Sequence, residues 1–496
     1  MTRGVLLILD GAGLRPECAG NAVTAKTMPR FFSLMEAYGH ATLEASGPAV
    51  GLEPGMVGNS EVGHTVIGAG YVPPTSLQRI NQGYQDGSWA RHDAWQALAK
   101  HRRIHIVGLL SDAGVHAHAR TIQQANELAR RNCPDAEVIV HLVLDGVDAP
   151  AGSAVALMKP FAGSADCDIG LVMGRKWFCD RSGDLAITRQ FVDALMNTAA
   201  LPAFSAGRLA EHLGSATEAS FPAHAVRVAS VAPGEPVLLT SHRADRAQQV
   251  ARMINAHCPV YAVTDLGEDI PADRVFFPSA PLADGLASTL QRAGVPTTRI
   301  AESSKFPHVT RFFNGLNPPM GERSICIPAV PDQMLADCPE MSLSTLLAAA
   351  LEVIESDEAP HALVINIANL DQIGHLGRYD LAAVAAGHVD AALWDVHQAC
   401  RRHGWELLVT ADHGNADQMT DAAGGPFNSH SPHPVPLLAI PAAGSKVAWH
   451  AGSGTLAHVA PTFLAMLGIE QPALMAAPLI STKAALAEPV ALRVCC

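Results

Sequence analysis

Residues 5–11 read VLLILDG, a short apolar run that ends in Asp10 and Gly11. Similar runs ending in Gly, Asp, Ser, Arg or His recur along the chain: IHIVGLLSDAG (104–114), VIVHLVLDG (138–146), IGLVMGR (169–175), PVLLTSHR (236–243), ALVINIANLD (362–371) and LLVTADHG (407–414). Helical stretches such as TIQQANELARR (121–131) lie between them. This alternation predicts parallel sheets of the α/β class. Ligands bind such sheets just past the carboxyl ends of the strands, where these polar residues stand.

Size and composition exclude several classes of protein. With 496 residues, the chain is too long for one ordinary core, so we expect two domains. The net charge of −13 without a basic run argues against a nucleic-acid surface. No apolar run is long enough for a bilayer, and the first is too short for a signal peptide. The ten cysteines lack paired zinc spacing, so we expect reduced, buried thiols in a cytoplasmic protein.

A set of hard ligands and imidazoles follows the strands and the loops near them. Two-metal phosphoryl transfer needs such ligands together with a nucleophile. The candidates are Asp10, Ser60 in GNSEVGH (58–64), Asp371 and His375 in NLDQIGH (369–375), Asp412 and His413 in TADHGN (410–415), and His430 in SHSPHPVP (429–436). Taken singly, each has an ordinary alternative: an Asp or Ser at a strand end is more often a helix cap, and an Asp–His pair at helical spacing is usually solvated. Their joint order favours a metal centre.

This ordered set resembles the metal-binding plan of the alkaline phosphatase superfamily. The strings LDG, GNSEVGH, ADHGNAD and SHSPHPVP resemble those of cofactor-independent phosphoglycerate mutases, and the resemblance runs from about residue 4 to about residue 475. It implies two divalent ions, manganese first and cobalt or zinc as alternatives, with no organic cofactor. One ion would be held by Asp371, His375 and His430. The other would be held by Asp10, Ser60, Asp412 and His413, with Ser60 as the nucleophile that carries a phosphoserine.

The family's substrate motifs also stand in order in this chain. They are SDAGVHAH with His116, LDGVDAP with Asp148, GRKWFCDR with Arg175 and Arg181, SHRADRAQQ with Arg243 and Arg246, and AESSKFPHVT with Lys305. The resemblance implies that Asp148 is a general acid and base, that His116 contacts a phosphate or hydroxyl, and that the Arg and Lys side chains grip a small phosphorylated acid. Taken alone, the helical RADRA segment would be a solvated face.

The resemblance also implies an architecture. Residues 1–72 and 282–496 would form an alkaline-phosphatase-like parallel-sheet domain that holds the metals. Residues 73–281 would form an inserted α/β domain that binds substrate. Both crossings fall in segments that contain Gly and Pro, GAGYVPPTSLQRI (68–80) and VFFPSAPLADG (275–285). We expect a monomeric, cytoplasmic, glycolytic isomerase without nucleic-acid or membrane partners.

The substrate motifs depart from the family pattern at several positions. Val147 stands where the family has an Arg that grips substrate, and Lys176 and Trp177 replace common Tyr residues. Outside this cluster, the differences are Arg311 and Leu316 in RFFNGL, in place of the family's Phe and Gly, and Gln372 in place of Met. Lys176 could supply the missing charge, which keeps 3-phosphoglycerate as the substrate. The alternative is a relative in specialised metabolism that moves phosphorus or arsenic within a three-carbon acid, such as an enolpyruvate. A metal-dependent phosphatase is disfavoured, because hydrolysis would not need the motifs of the inserted region.

Overall fold

A computed structural model describes residues 2–52, 54–150, 152–161, 168–180, 184–206, 209–213, 217–267, 269–278, 281–356, 361–421, 423–443 and 445–484. The chain divides into two compact units. Unit 1 comprises Met1–Pro73 and Pro281–Cys496, and unit 2 comprises Pro74–Ala280. The metal-holding role predicted for one domain and the substrate-binding role predicted for the other stay predictions.

The strands and helices alternate along the chain as the sequence predicts. The strands are β1 Arg3–Leu9, β2 Ala41–Glu44, β3 Arg103–Leu110, β4 Glu137–Leu144, β5 Asp168–Gly174, β6 His224–Ala225, β7 Val237–Leu239, β8 Val260–Thr264, β9 Val275–Phe277, β10 Thr297–Glu302, β11 Arg323–Ile327, β12 Ala362–Ile367, β13 Trp405–Thr410, β14 Val435–Ile440, β15 Ser445–Trp449, β16 Ser453–Thr455 and β17 Ile480–Ala484. The α-helices are α1 Pro29–Tyr38, α2 Ser60–Ala69, α3 Ser76–Gln85, α4 Ala94–Leu98, α5 Ala119–Asn132, α6 Ser153–Met158, α7 Leu185–Met196, α8 Leu209–Leu213, α9 Ala244–Asn255, α10 Leu286–Arg292, α11 Leu343–Glu355, α12 Asn369–Gly374, α13 Tyr379–His403 and α14 Val459–Leu467.

Unit 1 is built on an eight-stranded sheet in the order β11-β10-β12-β1-β13-β14-β2-β16. The strands from β11 to β13 are parallel, and β14 is antiparallel to both of its neighbours. The central strand β1 is buried from Gly4 to Leu9, which explains why VLLIL is apolar without alternation. A separate two-stranded antiparallel ribbon pairs β15 with β17.

Unit 2 is built on a seven-stranded sheet in the order β6-β5-β4-β3-β7-β8-β9. Every neighbouring pair is parallel except β5 with the short edge strand β6. Strands β3 and β4 are each buried over seven of their eight residues. Both units therefore have mostly parallel sheets with helical connections, and the predicted α/β fold class is confirmed.

Two further expectations concern the cysteines and the membrane. Cys18 and Cys326 are exposed and Cys338 is half-buried, so the expectation of buried thiols was wrong for these three. Cys495 and Cys496 lie outside the described residues. Among the helices of the described chain, none is both long and apolar enough to cross a membrane.

Candidate active site

Three of the predicted metal ligands follow neighbouring strands of the unit 1 sheet. Asp10 comes directly after β1, and Asp412 and His413 come just after β13. These strands are parallel and in register, with Ile8 opposite Thr410, so their carboxyl ends meet at one edge. All three side chains are fully buried. His413 Nε2 lies 3.4 Å from Asp412 Oδ2 and 3.7 Å from Asp10 Oδ1.

Ser60 is the first residue of α2. The side chain of the preceding Asn59 caps the helix by accepting a hydrogen bond from the Val62 N–H, so the capping role does not fall to Ser60. Gly63 allows the first turn to approach the β13 end, because a Cβ there would lie 2.6 Å from the Asp412 carbonyl oxygen. Ser60 Oγ lies 2.9 Å from His413 Nε2. The hydroxyl therefore stands at the amino end of a helix, where backbone N–H groups favour anions.

Lys305 contacts the metal-ligand candidates directly. Its ammonium donates hydrogen bonds to Asp10 Oδ1 at 2.8 Å, to Ser60 Oγ at 2.6 Å and to Asp371 Oδ2 at 2.7 Å. The side chain is almost fully buried. Burial alone would lower the pKa of Lys305, but Asp10, Asp371 and Asp412 outweigh it and raise that pKa above its usual value. The three carboxylates therefore favour the ammonium form of Lys305 beside the Ser60 hydroxyl.

Asp371, His375 and His430 form a second group of converging donors. Asp371 lies in α12 and His375 directly follows that helix. The Nε2 atoms of His375 and His430 each lie 3.2 Å from Asp371 Oδ1, and they lie 3.2 Å from each other. Each Nδ1 lies within 2.9 Å of a backbone carbonyl, of Asn428 and Gly58 respectively. A carbonyl only accepts, so each Nδ1 carries the hydrogen, and both Nε2 lone pairs face the same carboxylate.

The donor set fits divalent cations. Two three-residue groups have ligand atoms mutually close enough to hold one: Asp10 with Asp412 and His413, and Asp371 with His413 and His430. Asp412 Oδ2 is buried and has no hydrogen-bond partner among the described residues. One ammonium, that of Lys305, cannot neutralise three buried carboxylates, and buried anions without counter-charge are costly. Carboxylate and imidazole donors without thiolates suit manganese, cobalt or zinc.

The pKa of the Asp10 carboxyl group is shifted in the opposite direction to those of Asp371 and Asp412. Burial raises the pKa of Asp10, and the neighbouring Asp412 adds to the rise. Burial also opposes ionisation of Asp371 and Asp412, but cationic and imidazole neighbours hold the pKa of both below the usual range. Lys305 is the largest of these influences on Asp371, and His413 is the largest on Asp412. Burial lowers the pKa of His413, which favours the neutral ring form that binds a metal.

In unit 2, polar residues follow the carboxyl ends of four neighbouring parallel strands. Arg175, directly after β5, donates at 2.5 Å both to Asp145 Oδ1 and to Asp148 Oδ2 in the loop after β4. His116, in the loop after β3, lies 3.8 Å from Asp148 Oδ2. The backbone N–H of His242, after β7, donates to the His116 carbonyl. The structure thus brings together His116, Asp148 and Arg175, which the sequence predicted as substrate residues.

The other predicted substrate residues of unit 2 are less fully defined. Arg243 is exposed and precedes α9. Arg246 lies within α9, but its side chain falls outside the described part of the chain, and Arg181 lies wholly outside it. Val147 exposes 56% of its surface, and its N–H donates to Asp145 Oδ1. The ammonium of Lys176 lies over the Trp177 ring, 5.5 Å from its centroid.

Several buried residues that support the site were not predicted. Asp145 accepts hydrogen bonds from the N–H groups of Val147, Asp148 and Ala149 and so shapes the loop that carries Asp148. Asn415 donates to Asp371 Oδ1 at 2.8 Å. His64 Nδ1 lies 3.2 Å from Asp412 Oδ2, and Asn366 donates to Asp10 Oδ2 at 2.8 Å. The sequence signal that could have identified such residues is a polar residue inside an apolar run, such as Asn366 in ALVINIANLD.

Comparison with known proteins gives matches that cover nearly the whole chain. The model of the Metalloenzyme superfamily matches residues 2–471. A 2,3-bisphosphoglycerate-independent phosphoglycerate mutase of Syntrophotalea carbinolica is 34% identical over an alignment of 508 residues. The alignment covers 95% of this chain and 96% of that protein. The protein of the same name from Cellvibrio japonicus is 34% identical, over 94% of this chain and 96% of that one.

Solved structures agree on the fold. The phosphoglycerate mutase of Leishmania mexicana, in crystal structures at low cobalt concentration, superposes with a TM-score of 0.68 at 24% identity over 97% of this chain and 98% of that chain. The sequence matches confirm the family resemblance at nearly full length. The chain belongs to the Metalloenzyme superfamily and, within it, to the 2,3-bisphosphoglycerate-independent phosphoglycerate mutases, which are isomerases.

Proposed function

We propose that the protein interconverts 3-phosphoglycerate and 2-phosphoglycerate through a phosphoserine on Ser60. The names of the curated relatives support this substrate. The contact that carries the proposal for the nucleophile is the 2.6 Å hydrogen bond from Lys305 Nζ to Ser60 Oγ. A buried ammonium that donates to a serine oxygen favours the anionic form of that oxygen, which is the reactive form.

The reaction consists of two displacements at phosphorus. First, the Ser60 Oγ alkoxide forms a bond to phosphorus while the ester bond to the glycerate oxygen breaks, and the departing oxygen takes the proton that Asp148 carries at the start. Then the other glycerate hydroxyl gives its proton to Asp148 and attacks the phosphoserine, which releases Ser60. The serine and Asp148 end as they began, so the reaction needs no further co-reactant. The N-terminus of α2 favours the phosphate charge throughout.

Two divalent ions would complete the centre, with manganese as our first choice and cobalt or zinc as alternatives. We assign one to the Asp10 group, defined as Asp10, Ser60, Asp412 and His413. The other is assigned to the Asp371 group, defined as Asp371, His375 and His430. Bound there, divalent ions lower the pKa of the serine hydroxyl and neutralise charge on the phosphoryl group. Lys305 supplies a further positive charge from the chain itself.

The acid would be bound by the residues of unit 2. A hydrogen bond from Arg175 and the loop hydrogen bonds to Asp145 hold Asp148 in position, which supports its proposed role in proton transfer. His116 would contact the phosphate or a hydroxyl. For Arg181, Arg243 and Arg246, the substrate-binding role rests on the family motifs alone. Arg side chains suit carboxylate and phosphate oxygens because they bind them in pairs of hydrogen bonds.

Val147 favours a second candidate function. Its exposed side chain has no charge or donor, where the family motif has an Arg. The Lys176 ammonium lies over the Trp177 ring of the same motif, so this cation has a partner other than a substrate oxygen. A related three-carbon acid that lacks the oxygen paired with that Arg would fit such a pocket better. Mutase chemistry on a phosphonate or arsenic analogue of the enolpyruvate type is therefore the alternative.

Phosphorus NMR of the purified protein with manganese and 3-phosphoglycerate tests the proposal. We expect the resonance of 2-phosphoglycerate to appear without a matching rise in inorganic phosphate. Release of inorganic phosphate faster than isomerisation would instead identify a phosphatase. An unchanged spectrum under the same conditions contradicts phosphoglycerate as the substrate and directs the search to the analogue acids.

A further inference from the structure

His64 is a fully buried imidazole one helical turn after Ser60. Its Nδ1 lies 2.9 Å from the Ser60 carbonyl oxygen. Because a carbonyl only accepts, Nδ1 carries the hydrogen of this bond. The same Nδ1 lies 3.2 Å from Asp412 Oδ2, the oxygen that lacks a hydrogen-bond partner. One N–H group of His64 therefore faces two members of the Asp10 group at once.

The opposite nitrogen of His64 reaches a third member through Asn366. Nδ2 of Asn366, in β12, donates to His64 Nε2 at 3.0 Å and to Asp10 Oδ2 at 2.8 Å. An amide nitrogen has two hydrogens, so both bonds form together and His64 Nε2 is the acceptor. Asn366 lies opposite Ile8 in the pairing of β12 with β1, two residues before Asp10. The side chain is fully buried.

The Asp371 group has separate supports. Asn415 donates to Asp371, and backbone carbonyls of Asn428 and Gly58 accept from His375 and His430. Within the described chain, the hydrogen bonds of His64 and Asn366 do not reach Asp371, His375 or His430. The contacts of the His64–Asn366 pair are thus confined to one of the two ligand groups.

We infer that His64 and Asn366 are positioning residues for the ion of the Asp10 group alone. This inference rests on the two-ion site of the proposed function. His64 places one N–H beside both the Ser60 carbonyl and the Asp412 carboxylate. Asn366 holds Asp10 Oδ2 and leaves Oδ1 turned towards Lys305 and Ser60. Residues that orient metal ligands typically contribute about ten- to a hundredfold to metal affinity.

A manganese titration followed by the EPR signal of the free ion tests this inference without using any substrate. His375→Ala removes a ligand of the Asp371 group and leaves the Asp10 group intact, whereas Asp10→Asn does the reverse. We expect His64→Gln to weaken manganese binding about ten- to a hundredfold in the His375→Ala background. In the Asp10→Asn background, we expect His64→Gln to leave the remaining ion at its original affinity.

Three controls separate positioning from stability. His397→Gln removes another buried imidazole of unit 1, in α13, and should leave both affinities unchanged. Asn366→Ser should reproduce the loss without altering His64, and combined with His64→Gln it should add little. Activity lost by His64→Gln at limiting manganese should return at excess manganese.

Equal loss at both ion sites, or wild-type affinity at the Asp10 group in folded His64 and Asn366 variants, overturns the inference. Two ions bound by a protein that does not turn over phosphoglycerate would instead refute the proposed substrate and leave the positioning role standing.

Discussion

The Nε2 atoms of His375 and His430 lie 3.2 Å apart and both face Asp371 Oδ1, while their Nδ1 hydrogens are held by backbone carbonyls. Two imidazole lone pairs this close repel each other unless a cation or a proton lies between them. The hydrogen bond that a protonated His375 ring donates to Asp371 raises the pKa of His375. For His430, burial opposes protonation, but Asp371 outweighs it and raises that pKa as well.

We therefore predict that metal binding displaces protons from these imidazoles. Because their pKa values are raised, the metal-free rings hold protons as pH falls, and manganese affinity should drop about tenfold per pH unit for each proton displaced. Manganese titrations between pH 8 and pH 6 measure this slope, and exhaustive chelation should abolish turnover. A pH-independent affinity, or a chelated protein that stays fully active, would refute the metal assignment.

The substitution Val147→Arg tests which acid the pocket fits. The Val147 side chain is largely exposed, so the change should leave the free energy of unfolding within about 0.5 kcal/mol. A restored charge-assisted hydrogen bond contributes about 1.5–3 kcal/mol, so we expect kcat/KM on 3-phosphoglycerate to rise about ten- to a hundredfold from a measurable but reduced level. Val147→Leu is the matched uncharged control. If the natural protein already turns over phosphoglycerate as fast as an ordinary family member, the altered-substrate reading is wrong.

The placement of the first candidate metal ligands was predictable from local pattern. Apolar runs without alternation predicted parallel strands, and parallel strands put Asp10 and Asp412 at one sheet edge. The contacts that tie the site together were not predictable, because they join residues far apart in sequence. Asn366 to Asp10 spans 356 positions, and Lys305 to Asp10 spans 295. No periodicity reports such a pairing, so Lys305 was expected only as a phosphate ligand.

Glu302 in β10 is a buried acid whose ionisation should make the free energy of unfolding depend on pH. Its side chain is fully buried, Oε1 accepts from the Ser342 N–H, and Oε2 has no partner among the described residues. Burial raises the pKa of Glu302 to about 7. Between the unfolded value of 4.5 and 7, the unfolded chain releases a proton that the folded one keeps, so the free energy of unfolding falls as pH rises.

Glu302→Gln should remove this decline. The variant should be more stable than the natural protein at pH 8, by on the order of 2 kcal/mol, and close to it at pH 5. Urea denaturation at the two pH values measures the difference. The exposed Glu355→Gln is the matched surface control. An equal effect of Glu302→Gln at both pH values would contradict the raised pKa.

Leu316 adopts a left-handed backbone, with φ of +64°, at a position where the family pattern has Gly. This conformation costs a non-glycine residue about 1–2 kcal/mol. Glycine would avoid that cost but would lose more chain entropy on folding, which offsets about half of the gain. We predict that Leu316→Gly raises the free energy of unfolding by about 0.5–1 kcal/mol. Gly315→Ala should destabilise instead, because its Cβ would lie 2.6 Å from the Leu282 side chain. A lower melting temperature for Leu316→Gly than for the natural protein would exclude stored strain at Leu316.

The phosphoserine itself is the central claim, and trapping it is the most direct test. The protein with manganese is mixed with 3-phosphoglycerate, quenched in acid within one turnover and analysed by peptide mass spectrometry. We predict a phosphate on Ser60 in the natural protein. We predict no phosphopeptide and at least about a thousandfold lower turnover for Ser60→Ala, which keeps its fold and the Asp371 group. Substantial mutase activity in Ser60→Ala, or phosphate on a different residue, would contradict the two-step mechanism.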